Sequence, residues 1–332
     1  MVSLIVSVAV NPDRPRGEIQ ARTSLRNVDG VHRLQRLCQR FGIAPTYLLS
    51  YGVATRPEVE WFTAQERRGM CEIGAAFQPW NTPPFQASEE RLVARPATTL
   101  TTSVVGAKLT ALTETIEART GVRPQVHRSA GGGLDGATLQ ALERLGYVAD
   151  STALPFVDAR HRGGTDWRTS PRVPYHPHRQ RPVRRGASPI LEIPVTIGWD
   201  RALPHSIARA PRGLTRSPIE RLLSNDWYHL ASVAMLDPTR TSLETMCRVA
   251  DVAIRDGLPV LHLPIDSETL TPGESKRAAT PGDVRRIFET LDGFLRYAVD
   301  SLRATPETMG AYARQHAGRH RCSWGPEPIP PE

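Results

Sequence analysis

Short apolar runs and helical patterns of hydrophobic residues alternate along most of the chain. Leu4 to Val10 is a continuous apolar run rich in valine, which is typical of a strand buried on both faces of a parallel sheet. Between Gly30 and Arg40 the apolar residues recur at the spacing of one helix face, and Gly42 follows as a stop signal. The repetition of this strand-helix unit predicts a parallel sheet with helices packed against it.

The same criteria predict about seven or eight strands and about six helices in one domain. The clearest strands fall at residues 4–10, 46–49, 71–77, 125–128, 147–150, 190–197 and 260–266. The helices fall at residues 30–40, 58–68, 100–120, 134–145, 242–256 and 283–303. Irregular excursions interrupt this alternation at residues 156–189 and 200–218. The pattern alone allows either a doubly wound sheet or a barrel. We expect residues 1–316 to form a single domain and the proline-rich residues 317–332 to form a flexible tail.

The composition narrows the class of protein. The 332 residues carry a formal net charge of +8, and nearly all of the positive charge is arginine, with lysine only at Lys108 and Lys276. The arginines are scattered among acidic residues, and the one dense basic run, residues 176–185, is predicted to be a solvated loop. Nucleic-acid binding is therefore the weakest of the functions considered. No apolar run approaches the roughly 18 residues of a membrane span, and the apolar N-terminus lacks a basic leader, so we expect a cytoplasmic protein.

Five segments, taken in chain order, carry a resemblance to a known family. They read Glu72-Ile73-Gly74-Ala75-Ala76-Phe77-Gln78-Pro79-Trp80, Arg128-Ser129-Ala130-Gly131-Gly132-Gly133, Gly146-Tyr147-Val148-Ala149-Asp150-Ser151-Thr152, Leu191-Glu192-Ile193-Pro194-Val195 and Asp266-Ser267-Glu268-Thr269-Leu270-Thr271-Pro272-Gly273. In this order they resemble the polysaccharide deacetylases of the NodB-homology type, over most of the chain. The resemblance implies an α/β fold, an irregular (β/α) barrel of about seven strands.

The resemblance also implies a chemistry, the metal-assisted hydrolysis of an N-acetyl group on an amino sugar. In the family a divalent metal such as zinc, held by one carboxylate and two histidines, polarises the amide and activates a water molecule. A nearby aspartate acts as the base, and a histidine on a late strand protonates the leaving amine.

In this sequence other residues occupy the positions of those groups. The positions of the base, the carboxylate ligand, the two metal-binding histidines and the acid histidine are, in that order, Ala9, Asn11, Ala76, Gln78 or Trp80 depending on the register, and Asp266. Alanine has no donor atom, and neutral amide oxygens are poor ligands for a transition metal. We therefore predict that the protein uses no metal cofactor.

Two functional hypotheses follow, because the sequence keeps the family's segments but replaces its metal ligands. The favoured one is a pseudoenzyme of carbohydrate metabolism, a deacetylase-like barrel that binds a sugar or glycan without the metal chemistry. Its predicted substrate-binding residues are Trp80, Gln78, Arg128 and Asn11. Because an indole ring stacks well on the face of a sugar, we expect Trp80 to line a pocket together with Arg128 and Asp266.

The alternative is a working hydrolase with unconventional residues. Here Asp266 and His262 act as acid and base, Arg128 gives electrostatic support, and Asp150 orients Arg128. His262 shares a strand face with Asp266 by period-two alternation, or else it is a satisfied core histidine. Turnover of an N-acetylated amino sugar that is lost with a chelator would exclude the first hypothesis.

Other polar and aromatic residues are weaker candidates. Asp13 and Glu18 follow the first strand and are interpreted as solvated loop charges, although either could supply a ligand. Trp167 and Trp199 could add to a sugar-binding groove. The first excursion also carries residues that could form a replacement metal site, namely His161, Asp166, His176 and His178.

Overall fold

The computed structural model describes residues 2–13, 25–85, 97–201 and 232–323, with the backbone alone described over residues 318–323. Twelve strands lie in these residues. They are β1 (Ser3–Val10), β2 (Thr46–Leu49), β3 (Glu72–Phe77), β4 (Val126–Ser129), β5 (Ala149–Asp150), β6 (Pro177–His178), β7 (Arg181–Arg185), β8 (Leu191–Glu192), β9 (Ile197–Trp199), β10 (Val233–Met235), β11 (Val260–Asp266) and β12 (Thr305–Pro306).

Eight α-helices lie in the same described ranges. They are α1 (Asn27–Arg40), α2 (Tyr51–Ala54), α3 (Val59–Arg67), α4 (Thr102–Thr120), α5 (Gly136–Leu145), α6 (Leu243–Arg255), α7 (Pro281–Arg296) and α8 (Met309–Ser323). None of the helices in the described part of the chain is both long and apolar enough to span a membrane. The predicted domain boundary at residue 317 falls inside α8, and the residues after 323 lie outside the described part.

Seven parallel strands form one curled sheet in the order β11-β1-β2-β3-β4-β5-β8, with β12 also paired to β1. The segment that follows β8 approaches β11, where the Thr196 N–H donates to the His262 carbonyl over 3.0 Å. This geometry confirms the predicted (β/α) barrel of about seven strands and excludes the doubly wound sheet that the pattern alone allowed. The predicted strand at 190–197 is two separate strands, β8 and β9.

The apolar runs occupy the places that the sequence predicts. β1 pairs with β11 on one side and β2 on the other, and nearly all of it is buried. α1, predicted from its helical spacing, packs its apolar face into the core between sheet and helices. The basic run predicted as a loop instead forms the antiparallel hairpin of β6 and β7, because Tyr175 pairs with Glu192 and draws this chain alongside β8.

The barrel interior toward the amino ends of the strands is packed with apolar side chains, and α8 closes this end. The packed residues are Ile5, Leu48, Val126, Ala149, Leu191, Ile193, Val260, Met309, Tyr312 and Ala313. Space is tight there, since a Cβ on Gly74 would lie 2.5 Å from Val126 Cγ2. The first N–H groups of α8 are satisfied at the amino ends of two strands: Met309 N–H donates to Thr46 Oγ1 and Gly310 N–H to the Glu72 carboxylate, each over 3.1 Å. In the described part of the chain, α8 therefore closes the interior at the amino ends of the strands.

Candidate functional site

A pocket of about 770 Å³ opens at the carboxyl ends of the strands. Its lining includes most of the residues predicted for the site, namely Ala9, Asn11, Ala76, Gln78, Trp80, Arg128 and Asp266. Trp80, Arg128 and Asp266 therefore line one concave pocket, as predicted from the sequence. Parallel strands bring these residues together because all of their carboxyl ends meet at the same rim.

The turn after β3 presents Trp80 to the pocket. Pro79–Asn81 is a short 3₁₀ turn, and the half-buried Trp80 lies at its centre. The turn is held by Gln78, whose carbonyl accepts from Asn81 N–H over 3.1 Å and from Thr82 Oγ1 over 2.9 Å. The Gln78 side-chain oxygen also accepts from Asn81 Nδ2.

A fully buried lysine fixes the next part of this turn. Lys108 on α4 has no solvent exposure, and its ammonium group donates to the carbonyls of Thr82 and Pro84 over 2.7 Å each. The charge also lies 5.2 Å from the centre of the Phe85 ring. Lys108 thus ties the loop that carries Trp80 to the helix behind it.

We predict that Lys108→Met loosens this loop, because the carbonyls of Thr82 and Pro84 lose their donor. The expected cost is about 2 kcal/mol of unfolding free energy. Limited proteolysis should cleave the variant faster between residues 78 and 85. Lys276→Met is the control, since Lys276 is exposed. Equal cleavage of both variants and of the unmodified protein would show that Lys108 does not hold the loop.

Arg128 on β4 lies on the pocket floor and is held by neutral groups. Its Nε donates to the Ser151 carbonyl over 3.0 Å, and its Nη2 donates to Ser7 Oγ over 2.6 Å and to Ser151 Oγ over 2.8 Å. The His262 Nε2 lies 3.2 Å from the same Nη2. The predicted orienting role of Asp150 is therefore corrected, because the serine groups and His262 fix the guanidinium.

His262 lies beneath the pocket and does not line it. The side chain is fully buried, with Nδ1 3.1 Å from the Ile193 carbonyl and Nε2 2.7 Å from Ser7 Oγ. Burial and the nearby Arg128 lower the pKa of His262 to about 3. A neutral ring with its proton on Nδ1, donated to Ile193, satisfies both contacts. His262 is a satisfied core histidine and does not reach a ligand in the pocket, contrary to its predicted acid-base role.

Asp150 is also fully buried, below the pocket and away from its surface. Its carboxylate accepts from His127 Nδ1 over 2.5 Å and from the Thr152 N–H and Oγ1 over 3.0 Å each. The neighbouring Glu192 is fully buried and accepts from the Ala153 N–H over 2.9 Å. These buried groups support the barrel wall. Of the four residues predicted as catalytic, only Arg128 and Asp266 line the pocket.

The residues at the family's metal positions do not fit a transition metal. Ala9 and Ala76 present methyl groups to the pocket, while Asn11 and Gln78 present amides. The Asn11 Oδ1 is buried without a donor, and the Gln78 oxygen already accepts from Asn81. Within the described ranges there is no cluster of three histidine, cysteine, aspartate or glutamate side chains that could hold an ion. A donor set of neutral amides does not suit zinc.

The remaining candidates separate clearly. Asp13 is not a solvated loop charge: it is buried, and its carboxylate caps α1 by accepting from the N–H groups of Arg26 and Asn27. Glu18 lies outside the described residues. Trp167 is fully buried and donates its indole N–H to the Gly132 carbonyl over 2.8 Å, so it does not form part of a groove.

Trp199 and the histidines of the first excursion also differ from expectation. Trp199 packs edge-on against Phe156, outside the residues that line the pocket. His161 lines the pocket, whereas His176 points toward the carbonyls of Ser188 and Ile190, away from it. His178 is exposed on the β6–β7 hairpin. These histidines do not converge, because the hairpin carries two of them away from the rim.

Three arginines of the pocket wall were not identified from the sequence. They are Arg162, Arg240 and Arg277. They come from loops far apart in the chain, and the protein is rich in arginine throughout. Nothing in the residue pattern separates these three from solvated arginines, so only the packing of the loops could reveal them.

The fold is that of the polysaccharide deacetylases of the NodB-homology type. A solved structure of a putative polysaccharide deacetylase from Mycobacterium smegmatis has a TM-score of 0.56 at 15% identity, covering 100% of this chain and 94% of that one. A putative glycoside hydrolase/deacetylase from Parabacteroides distasonis has a TM-score of 0.58 at 13% identity, covering 95% and 71%. A structure of Puue allantoinase has a TM-score of 0.53 at 13% identity, covering 96% and 91%. No protein-family model matches the chain, and no curated protein matches it in sequence.

Proposed function

We propose that this protein binds a carbohydrate in the barrel pocket and does not carry out metal-dependent deacetylation. The observation that carries the proposal is the pocket itself. Its volume of about 770 Å³ is in the range of small-molecule sites, yet alanines and amides stand where a metal enzyme of this fold needs a carboxylate and imidazoles. The deacetylase-like structural neighbours make a sugar the first class of ligand to test.

The lining chemistry supports a sugar over an apolar ligand. Trp80 offers a flat ring for stacking on a pyranose face, and sugar rings bury much area on such a surface. Asn11, Gln78 and Arg128 add amide and guanidinium groups that can hydrogen-bond hydroxyl groups. The buried Asn11 oxygen has no donor in the described part of the chain, so a hydroxyl proton could satisfy it after a small rotation.

The test is the affinity of Trp80→Ala for amino sugars and neutral sugars by calorimetry. We expect the variant to bind roughly tenfold more weakly, which corresponds to about 1.4 kcal/mol. Trp199→Ala is the matched control because Trp199 is also half-buried but lies outside the pocket. Equal affinities of the two variants, with unchanged unfolding temperatures, would contradict a sugar site at Trp80.

A second candidate is an unconventional hydrolase, favoured by one observation. Asp266 lies exposed at the end of β11, on the same pocket as Arg128, where a carboxyl group could exchange a proton with a ligand. Release of acetate from an N-acetylated amino sugar, lost in Asp266→Asn and unaffected by a chelator, would establish this activity. Loss of the turnover on adding a chelator would instead reveal a metal enzyme and exclude the pseudoenzyme.

We also propose that the protein is cytoplasmic, as predicted from its sequence.

A further inference from the structure

The positive charges of the pocket are incompletely paired. Four arginines line it, against the three carboxylates of Asp237, Asp266 and Glu268. Arg240 forms an ion pair with Asp237 over 3.1 Å. In the described ranges no ion pair engages the other three arginines, which are Arg128, Arg162 and Arg277.

The deepest of these charges is Arg128. Its bonded partners are two hydroxyls, a carbonyl and the neutral His262, so no carboxylate contacts it directly. A partly buried cation normally requires an anionic partner to offset its loss of hydration. The Nη1 group forms no hydrogen bond to a described residue. Its Cα partner in the neighbouring strand β3 is Ala76, and both residues line the pocket.

The nearby acidic groups only partly offset the charge on Arg128. Asp150 is hydrogen-bonded to His127, and burial together with the adjacent Asp150 raises the pKa of Glu192 well above its usual value, which disfavours a charge on Glu192. Asp266 is the remaining carboxylate whose field reaches Arg128, and it also acts on Arg162. One carboxylate is thus shared between arginines at the floor and at the wall.

The positively charged arginines of the pocket wall repel one another. Burial and the nearby Arg240 and Arg277 lower the pKa of Arg162, as expected where like charges converge without a sufficient counter-charge. Arg162 and Arg277 are exposed and line the same pocket as Arg128. A guanidinium pairs with carboxylate and phosphate groups through two parallel hydrogen bonds, so this arrangement suits an oxyanion.

We propose that the pocket recognises a sugar that carries an anionic group, a carboxylate or a phosphate, which Arg128 binds at the floor while Arg162 and Arg277 attract it from the wall. This inference rests on the proposed carbohydrate-binding function and defines its ligand class. The Asp266 carboxylate repels an anion and therefore lowers its affinity for the pocket. An acidic sugar could stack its ring on Trp80 and direct its charge toward Arg128.

The experiment measures, by calorimetry, the affinity for two pairs of ligands, each pair consisting of a charged sugar and its neutral counterpart. Oligogalacturonate is compared with its methyl ester, and glucose 6-phosphate with glucose. At least one charged member should bind about tenfold or more tightly than its neutral partner, since hydrogen bonds to charged groups are the stronger ones. A difference in the oligogalacturonate pair indicates a carboxylate ligand, and a difference in the glucose pair indicates a phosphate ligand. Added salt should weaken the charged ligand more than the neutral one.

Variants assign the effect to the arginines. Arg162→Gln and Arg277→Gln should each weaken the charged ligand by about threefold to tenfold and leave the neutral ligand unchanged. Both side chains are exposed, so both variants should fold. Asp266→Asn should tighten the charged ligand. Arg285→Gln is the control, because Arg285 is exposed on α7 and outside the pocket lining.

The outcomes separate this inference from the proposed function. Neutral and charged sugars binding equally, with Trp80 still required, would overturn the anionic ligand and leave carbohydrate binding intact. Charged ligands weakened as much by Arg285→Gln as by Arg162→Gln would show attraction to the overall positive charge and also overturn it. Binding of none of the four ligands would contradict both proposals.

Discussion

The triple variant Asn11→Asp, Ala76→His and Gln78→His is expected to bind one zinc ion with a Kd below about 1 µM, whereas the unmodified protein is expected to hold none. All three positions line the same pocket, and Ala76 and Gln78 lie two residues apart at the end of β3. Side chains two residues apart in a strand point to the same face, so two histidines there would face the interior together. The scaffold provides the positions, and the substitutions provide the missing ligand atoms.

Elemental analysis of the purified proteins, followed by zinc titration, measures this difference. The matched control is the double variant that keeps Asn11, since it has the two histidines but no carboxylate. Replacing Trp80 by histidine in place of Gln78 tests the register, and we expect weaker binding because Trp80 lies in the turn after the strand. Stoichiometric zinc in the unmodified protein, retained when Asn11 and Gln78 are changed, would show that a metal site exists elsewhere.

The catalytic positions can be restored on the same background. Adding Ala9→Asp and Asp266→His would return a base and an acid at paired positions, because the Cα atoms of Ala9 and Asp266 are register partners across β1 and β11. We expect weak, chelator-sensitive release of acetate from an N-acetylated amino sugar in this five-site variant. A zinc-loaded variant without any such activity would show that substrate recognition, in addition to the ligands, differs from that of the deacetylases.

Asp150→Asn is expected to lower the free energy of unfolding by about 3 kcal/mol at neutral pH. Asp150 is fully buried and accepts hydrogen bonds from His127 and from the Thr152 N–H and hydroxyl. An amide at this position keeps one acceptor oxygen but loses the charge opposite His127, and its NH₂ group faces donors. Denaturant unfolding of the two proteins measures the difference.

Glu192→Gln provides the contrasting variant in the same cluster. Burial raises the pKa of Glu192 well above its usual value, and the Asp150 carboxylate adds to the effect. Glu192 therefore holds its proton to a higher pH in the folded protein than in the unfolded chain, which releases it above about pH 4.3. Stability should fall as the pH rises from that value toward the folded pKa. Because glutamine mimics the protonated acid, Glu192→Gln should remove this slope and be the more stable protein at pH 8.

The pH dependence of stability expected from Asp150 is opposite to that expected from Glu192. Burial favours its neutral form, but the hydrogen bond from His127 and the proximity of His127 outweigh this and lower the pKa of Asp150. Its stabilising contribution is therefore present above its unfolded pKa of about 3.9 and is lost as the pH falls through the folded value. The cost of Asp150→Asn should shrink in acid. A cost that is the same at pH 3 and pH 7 would show that Asp150 acts by shape rather than by charge.

The sequence by itself determined the framework of the protein. Buried parallel strands leave continuous apolar runs, and amphipathic helices leave a helical spacing, so β1, α1 and most other elements could be read directly. The family resemblance assigned Asn11, Ala76 and Asp266 to one site, and all three line the pocket. These features depend on local pattern or on the shared rim of parallel strands, and both are encoded along the chain.

Only the tertiary structure decided which polar groups face the pocket. Arg128 and His262 are neighbours in the barrel interior, but packing leaves Arg128 at the pocket floor and buries His262 beneath it. Asp13 resembled a solvated loop charge and proved to be a helix cap, because the start of α1 lies against the end of β1. Arg162 and Arg277 come together from distant loops. Charge, burial and partner choice at such positions depend on contacts between residues far apart in sequence, and no local pattern records them.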